Sequence, residues 1–186
     1  MLAILFVGAL ALTPSDAHAL DSGQVLARIE PGPEAVHHVS AEGVVDAPPA
    51  KVWSVVTDFA DYYQIYSGIK RSEVRARNGD TLIGYFLLAF PWPLPERWTL
   101  NDTVLDPDRM RFKWQRVGGT VRRYDGSLEL LPWHQDETLM VFRAAMDPGL
   151  AFVPGWLVDY VSLNTLPAIV QGVRDFVARP AAGKAS

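Results

Sequence analysis

The chain has 186 residues, 49% of them apolar and 20% charged, with no cysteine and a formal charge of -4. A chain of this length and composition buries roughly 70% of its unfolded surface in one core, which excludes a disordered, collagen-like or disulfide-stapled protein. Without cysteine it can hold no thiolate nucleophile, iron–sulfur cluster or cysteine zinc site, and a pI of about 5.5 argues against a nucleic-acid partner, which needs a net-basic face.

Leu2 to Leu12 form an eleven-residue apolar run, too short to cross a bilayer at about 1.5 Å per residue, and Pro14, Ser15 and Ala17-His18-Ala19 follow. The pattern is that of a secretory signal cleaved after Ala19, although no Lys or Arg precedes the run. Removing residues 1–19 leaves 167 of the 186 residues and a charge of -3, since Asp16 is lost. A periplasmic or secreted location is therefore expected. Residues 20–35, with the turn residues Pro31-Gly32-Pro33, read as a lead-in, 36–178 as the domain proper, and 179–186 as a flexible tail.

Val36 to Val45 reads as a first strand, ended by Asp46-Ala47-Pro48-Pro49. Proline is tolerated at a helix start, where its missing N–H has no partner to lose, and Val52, Trp53, Val56 and Phe59 then recur at helical spacing. Asn78-Gly79-Asp80 marks a hairpin between strands at about 69–77 and 81–90, and Asp106-Pro107-Asp108 marks another turn. Both faces of Leu82 to Phe90 are apolar, so its parity stays open.

Parity argues the next hairpin. Met110, Phe112 and Trp114 share one face of 110–116, and Tyr124, Leu128 and Leu130 share one face of 122–130. A two-residue loop would set Trp114 opposite Arg123 and mix the faces. A three-residue loop, Gly118-Gly119-Thr120, sets Trp114 opposite Tyr124 inside and Lys113 opposite Asp125 outside. The last strand, Thr138 to Met146, puts Met140, Phe142, Ala144 and Met146 on one side. A long helical pattern from Leu157 to Val177 follows, interrupted by Pro167, which removes the bond to the Leu163 carbonyl and predicts a kink or break. A sheet with one apolar face and a single long amphipathic helix must curl around that helix.

Several segments carry a resemblance to a known family: Val44-Val45-Asp46-Ala47-Pro48-Pro49-Ala50-Lys51-Val52-Trp53, Asp58-Phe59, Tyr62-Tyr63, Gly126-Ser127-Leu128-Glu129-Leu130, Thr138-Leu139, Pro154-Gly155-Trp156-Leu157, Leu166-Pro167 and Val173-Arg174. In this order, over about Val36 to Ala178, they resemble the START-like lipid-binding proteins of the polyketide cyclase and lipid-transport (SRPBCC) superfamily. The resemblance implies an α+β helix-grip fold: a curved antiparallel sheet of six or seven strands around a long C-terminal helix, with an internal apolar cavity. It also implies lipids, sterols, isoprenoid quinones or polyketides as ligands. The superfamily holds both carriers and enzymes, so the fold leaves the function open.

No nucleophile elbow, phosphate loop, dinucleotide fingerprint or zinc-protease motif occurs, so no catalytic residue, metal ligand or cofactor is nominated. His37 and His38 point to opposite faces of a strand and cannot chelate one metal, and His134 reads as a solvated loop residue. The candidate ligand-binding set is Phe86, Trp98, Trp114, Arg116, Arg122, Tyr124, Phe142, Trp156, Leu157, Tyr160 and Asn164. The aromatic members either fill a core or line a cavity, depending on how far the sheet curls. Arg116 and Arg122 flank the hairpin tip, where they either escape into water or give the pocket a cationic end for a carboxylate, phosphate or carbonyl. Asn164 is either a satisfied core amide or a ligand contact.

The Pro-rich apolar loops Leu88 to Pro95 and Asp147 to Trp156 are expected to form a portal and to touch a membrane transiently. Burying a ten-carbon chain yields about 8 kcal/mol gross at about 0.8 kcal/mol per methylene, so one or two polar contacts suffice for micromolar binding. The first expectation is an exported monomeric carrier of a hydrophobic small molecule. The second is a cyclase or aromatase using Arg116, Tyr124 or His134 on a carbonyl, and the third a partner module with a filled interior.

Overall fold

A computed structural model describes residues 12–31, 36–92, 94–150 and 154–179. In chain order the elements are α1 (Pro14–Asp21), β1 (Leu26–Pro31), β2 (His37–Val45), α2 (Pro49–Val56), α3 (Tyr62–Ile65), β3 (Ile69–Asn78), β4 (Thr81–Leu88), β5 (Arg97–Asp106), β6 (Arg111–Gly119), β7 (Arg123–Pro132), β8 (Thr138–Asp147), α4 (Gly155–Tyr160) and α5 (Leu166–Ala178). The strands form one antiparallel, curved open sheet in the order β1-β2-β8-β7-β6-β5-β4-β3, with the terminal helix across its inner face. This is the helix-grip architecture, with eight strands rather than six or seven.

The extra strand comes from the stretch read as a lead-in. Leu26 to Pro31 pairs antiparallel with His37 to Glu42 and forms one edge of the sheet. Just before it, Thr13 and Asp16 cap α1 reciprocally, which satisfies two of the N–H groups a helix start leaves unpaired. The helix rests against β1 and β2, and its Leu20 is buried with Leu139 and Val141 of β8. Trp133 Nε1 donates to Asp21 Oδ1 at 2.8 Å, and His134 Nε2 lies 2.9 Å from the same oxygen, so His134 serves this contact rather than the interior.

The terminal helix breaks where proline requires it. A π-helical turn, Val161–Thr165, separates α4 from α5, and Pro167 sits in the first turn of α5, where its missing N–H costs no intrahelical bond. Val170, Val173 and Val177 face the core. Two glycines permit the close docking: a Cβ on Gly43 would lie 2.7 Å from Val170 Cγ1, and one on Gly172 would lie 2.0 Å from the Ile65 carbonyl oxygen. Arg174 fastens the helix to the sheet by donating from Nε to Val44 O at 2.8 Å and from Nη1 to Gly23 O at 3.0 Å.

The hairpin register differs from the parity argument by two residues. Trp114 pairs with Gly126 and Lys113 with Ser127, not with Tyr124 and Asp125. Faces survive a two-residue slip, which is why Trp114 and Tyr124 keep the same face; three residues, Thr120, Val121 and Arg122, join the strands, but the rungs between them stop at Trp114. A Cβ on Gly126 would meet Trp114 Cζ2 at 2.5 Å, so glycine opposite the indole makes room for the ring.

Candidate ligand cavity

Between the curled sheet and the helix lies a partly open cavity of about 390 Å³, within the roughly 300–1,000 Å³ of small-molecule sites. Its sheet wall comes from inward positions on β4 to β8, including Phe86, Phe112, Leu128 and Phe142, and its roof from Leu166, Ala168 and Ile169 of α5. Rings brace one another around it. Trp114 stacks on Phe142 with centroids 5.5 Å apart, meets Tyr124 at 5.6 Å, and Tyr62 meets Phe86 at 5.5 Å. Gly84 lets Phe86 fold back, since a Cβ there would lie 2.7 Å from that ring; this also fixes β4 parity, with Leu82 and Phe86 inward.

Strand β5 reverses the usual alternation. Its inward residues are polar, with Thr99 0%, Asn101 3% and Thr103 1% exposed, while Val104 on the outer face is 53% exposed. Asn101 and Thr103 line the cavity, and Thr99 Oγ1 donates to Asn101 Oδ1 at 2.6 Å. That bond occupies the Asn101 carbonyl and orients its amino group to act as a donor. A buried polar strip that contributes little to packing is the pattern of a site that must recognise a polar atom on a guest.

Among the described residues no carboxylate, imidazole, ammonium or guanidinium lines the cavity, and no cluster of three His, Asp or Glu side chains could hold a metal. Its titratable groups are phenols. Burial pushes the Tyr124 hydroxyl up to about 12, and burial again, followed by neighbouring groups, raises Tyr62 and Tyr66 above the ordinary tyrosine value. Tyr62 donates its hydroxyl to Val56 O at 2.6 Å. At neutral pH these groups are uncharged hydrogen-bond donors, poorly suited to moving protons.

The structure brings Phe86, Trp114, Tyr124, Phe142, Tyr160 and Asn164 to this cavity. It places the other five candidates elsewhere. Trp98 lies on the outer face of β5, stacked on Tyr85 at 5.9 Å, because the polar residues of that strand took the inward parity. Arg116 and Arg122 line a separate cleft on the outer side of the sheet. Trp156 is 46% exposed, and Leu157 is buried in the packing beneath α4 without reaching the cavity lining. Asn164 donates from Nδ2 to Tyr160 O at 3.1 Å, which fixes its side chain along its own helix at the cavity rim. Among the lining residues that the candidate set lacked are the polar Asn101 and Thr103 and the phenols of Tyr62 and Tyr66.

Leu88, Ala89, Phe90 and Pro91 of the first loop line the cavity together with the exposed Tyr160 and Asn164. Trp92, next along the loop, is 91% exposed. Of the second loop, residues 147–150 and 154–156 are described and 151–153, including Phe152, lie outside the described residues. No helix among the described residues is long and apolar enough to cross a membrane.

Residues 36–179 match the family described as polyketide cyclase / dehydrase and lipid transport. No curated protein matches the chain in sequence. Among solved structures, the Zhui aromatase/cyclase from Streptomyces sp. R1128 superposes with a TM-score of 0.66 at 17% identity, covering 80% of this chain and 98% of its own. A STAR-related lipid transfer protein fragment from Xanthomonas axonopodis gives 0.66 at 15%, covering 82% and 99%. A START superfamily protein from Mycobacterium smegmatis gives 0.64 at 20%, covering 75% and 96%. At these identities the likeness is one of fold.

Proposed function

The chain belongs to the polyketide cyclase / dehydrase and lipid transport family of START-like proteins, and from that premise we propose that it binds a lipid, sterol-like or quinone molecule beneath α5 and carries it between sites. The observation that supports carriage over catalysis is the lining itself: a 390 Å³ apolar chamber without a charged group among the described residues, and with one polar strip, Asn101 and Thr103. Such a lining grips a chain by desolvation and orients one oxygen by hydrogen bonds. The second reading, a cyclase or aromatase, keeps only Tyr124 of its three carbonyl-polarising groups, since Arg116 and His134 stand outside the cavity. We further propose export, with the mature chain starting at Leu20. Fractionation with N-terminal sequencing supports this by finding protein that starts at Leu20 outside the cytoplasm, and refutes it by finding only cytoplasmic protein that keeps residues 1–19.

Titration with a pyrene-labelled acyl probe should give saturable one-to-one binding with micromolar affinity. Ala168→Trp, which puts an indole into the cavity roof, should abolish it while the far-UV spectrum and thermal midpoint are kept. Unchanged affinity in the folded variant would place the ligand elsewhere.

A further inference from the structure

Strands β6 and β7 pair only from Arg111 with Glu129 to Trp114 with Gly126. Beyond that rung they part. β6 continues beside β5 as far as Gly119 opposite Thr99, and β7 starts at Arg123 beside β8, opposite Asp147. The connection closes the far end, because Thr120 donates its N–H to Trp98 O at 2.9 Å and Arg122 its N–H to Asp147 O at 3.0 Å. The sheet therefore contains a window, bounded by ladders on both sides and bridged by no rung of its own. Trp114 and Tyr124 stand at it, lining both the inner cavity and an open cleft of about 1020 Å³ on the outer side.

That cleft is cationic in an acidic chain. Of the 17 Lys and Arg residues, six line it, Arg28, Lys113, Arg116, Arg122, Arg123 and Arg143, against the carboxylates of Asp102 and Asp125. Glu42 serves both Arg28 and Arg143, and Asp125 bonds Arg123 at 2.6 Å. Among the described residues Arg116 and Arg122 have no carboxylate partner. Arg116 Nη2 donates to Gly119 O at 2.9 Å, which holds the guanidinium at the window, yet its Nε–H is buried with no acceptor. The indole N–H of Trp114, a residue more than nine-tenths buried, also lacks one. Asp102 Oδ1 is an unpaired acceptor on the same wall and offsets a single positive charge. Buried donors are rarely left unpaired unless a water, ion or ligand completes them, and a guanidinium fork matches the paired oxygens of a phosphate or carboxylate.

We infer that the window binds a phosphate or carboxylate group through Arg116, Arg122 and the Trp114 indole N–H. The group is the head of an amphiphile whose chain lies in the cavity, or a free small anion. In its head-group form the inference rests on the carrier reading.

Calorimetric titration with dodecyl phosphate, dodecanol and inorganic phosphate separates these sources. Wild type should bind dodecyl phosphate at least about tenfold more tightly than dodecanol, and Arg116→Gln with Arg122→Gln should erase the difference while leaving dodecanol affinity unchanged. Arg122→Gln alone changes an exposed side chain, so it keeps the test valid should the double variant misfold. Binding of inorganic phosphate that needs both arginines, with the two amphiphiles held equally, supports a free anion as the source. Equal affinity for dodecyl phosphate and dodecanol in wild type, with no phosphate binding, overturns the inference and leaves the carrier reading intact. Arginine-dependent phosphate binding with no amphiphile binding supports the anion site and contradicts the carrier reading.

Discussion

Replacing Thr99 by Val and Asn101 by Leu together should stabilise the protein while weakening its hold on a ligand. Thr99 and Asn101 are buried and share one 2.6 Å hydrogen bond. Removing both partners of a buried bond is close to neutral, because neither is left unsatisfied, whereas Asn101→Leu alone strands the Thr99 hydroxyl at a cost of about 1–3 kcal/mol. The leucine adds apolar burial of at most about 1.5–3 kcal/mol. The double variant should therefore gain about 1–2 kcal/mol, or about 2–8 °C in Tm, and the single variant should be near wild type. Loss of the Asn101 donor should cost about 3- to 10-fold in affinity for a ligand with a polar head. Thermal unfolding and probe titration on the three proteins read both quantities. A double variant destabilised by more than about 2 kcal/mol with unaltered affinity would show the strip to be structural and refute the reasoning.

Alkali should unfold the protein from inside. Tyr124, Tyr62 and Tyr66 have folded-state pKa values above the ordinary 10.0, so the stability they carry is intact below pH 10 and is lost at higher pH, for Tyr124 as pH rises through about 12. For Tyr124 the loss is about 3 kcal/mol, and Tyr124→Phe should lessen the fall in thermal midpoint between pH 10 and 12; a Tyr124 phenol that titrates near 10 by absorbance would contradict this. Trp92→Ala should leave stability within about 0.5 kcal/mol of wild type, since the side chain is 91% exposed, and should reduce cosedimentation with lipid vesicles; undiminished cosedimentation removes the membrane contact expected of this loop from its sequence. Leu20→Ala should cost about 2–3 kcal/mol by urea unfolding of the full chain, because Leu20 is buried against Leu139 and Val141, whereas a neutral result would mean that this contact is not made in solution.

The grip of sheet on helix was legible because two periodicities are clean: alternation at Phe112 and Trp114 and at Phe142 and Ala144, and helical spacing through Val170, Val173 and Val177. Pro167 marked the break in the terminal helix, although nothing in its surroundings specified a π-helical turn. Residues nearest the ligand cavity were the least legible. On β5 the apolar parity, Trp98, Leu100 and Val104, faces outward, so a rule that sends apolar residues inside misplaces Trp98 and passes over Asn101 and Thr103. The visible clue was the alternating run Thr99, Asn101, Thr103, a polar face on a strand in the middle of a sheet. Arg116 shares the inward parity of Trp114 and stands opposite Asn101, yet it lines the cleft where β6 parts from β7 rather than the cavity, and a register argument cannot foresee where a ladder ends. Strand β1 was hidden because its pairing partner, His37 to Glu42, lies across the Pro31-Gly32-Pro33 turn residues that read as a boundary.

The claim on which the account rests is that the space under α5 belongs to a guest. Native mass spectrometry of protein purified without detergent from cells that make it tests this directly. The account predicts a second species heavier by one lipid-sized mass, released on collisional activation and missing from Ala168→Trp. A single species at the bare polypeptide mass, together with failure to take up any offered acyl, sterol or quinone compound, would contradict it.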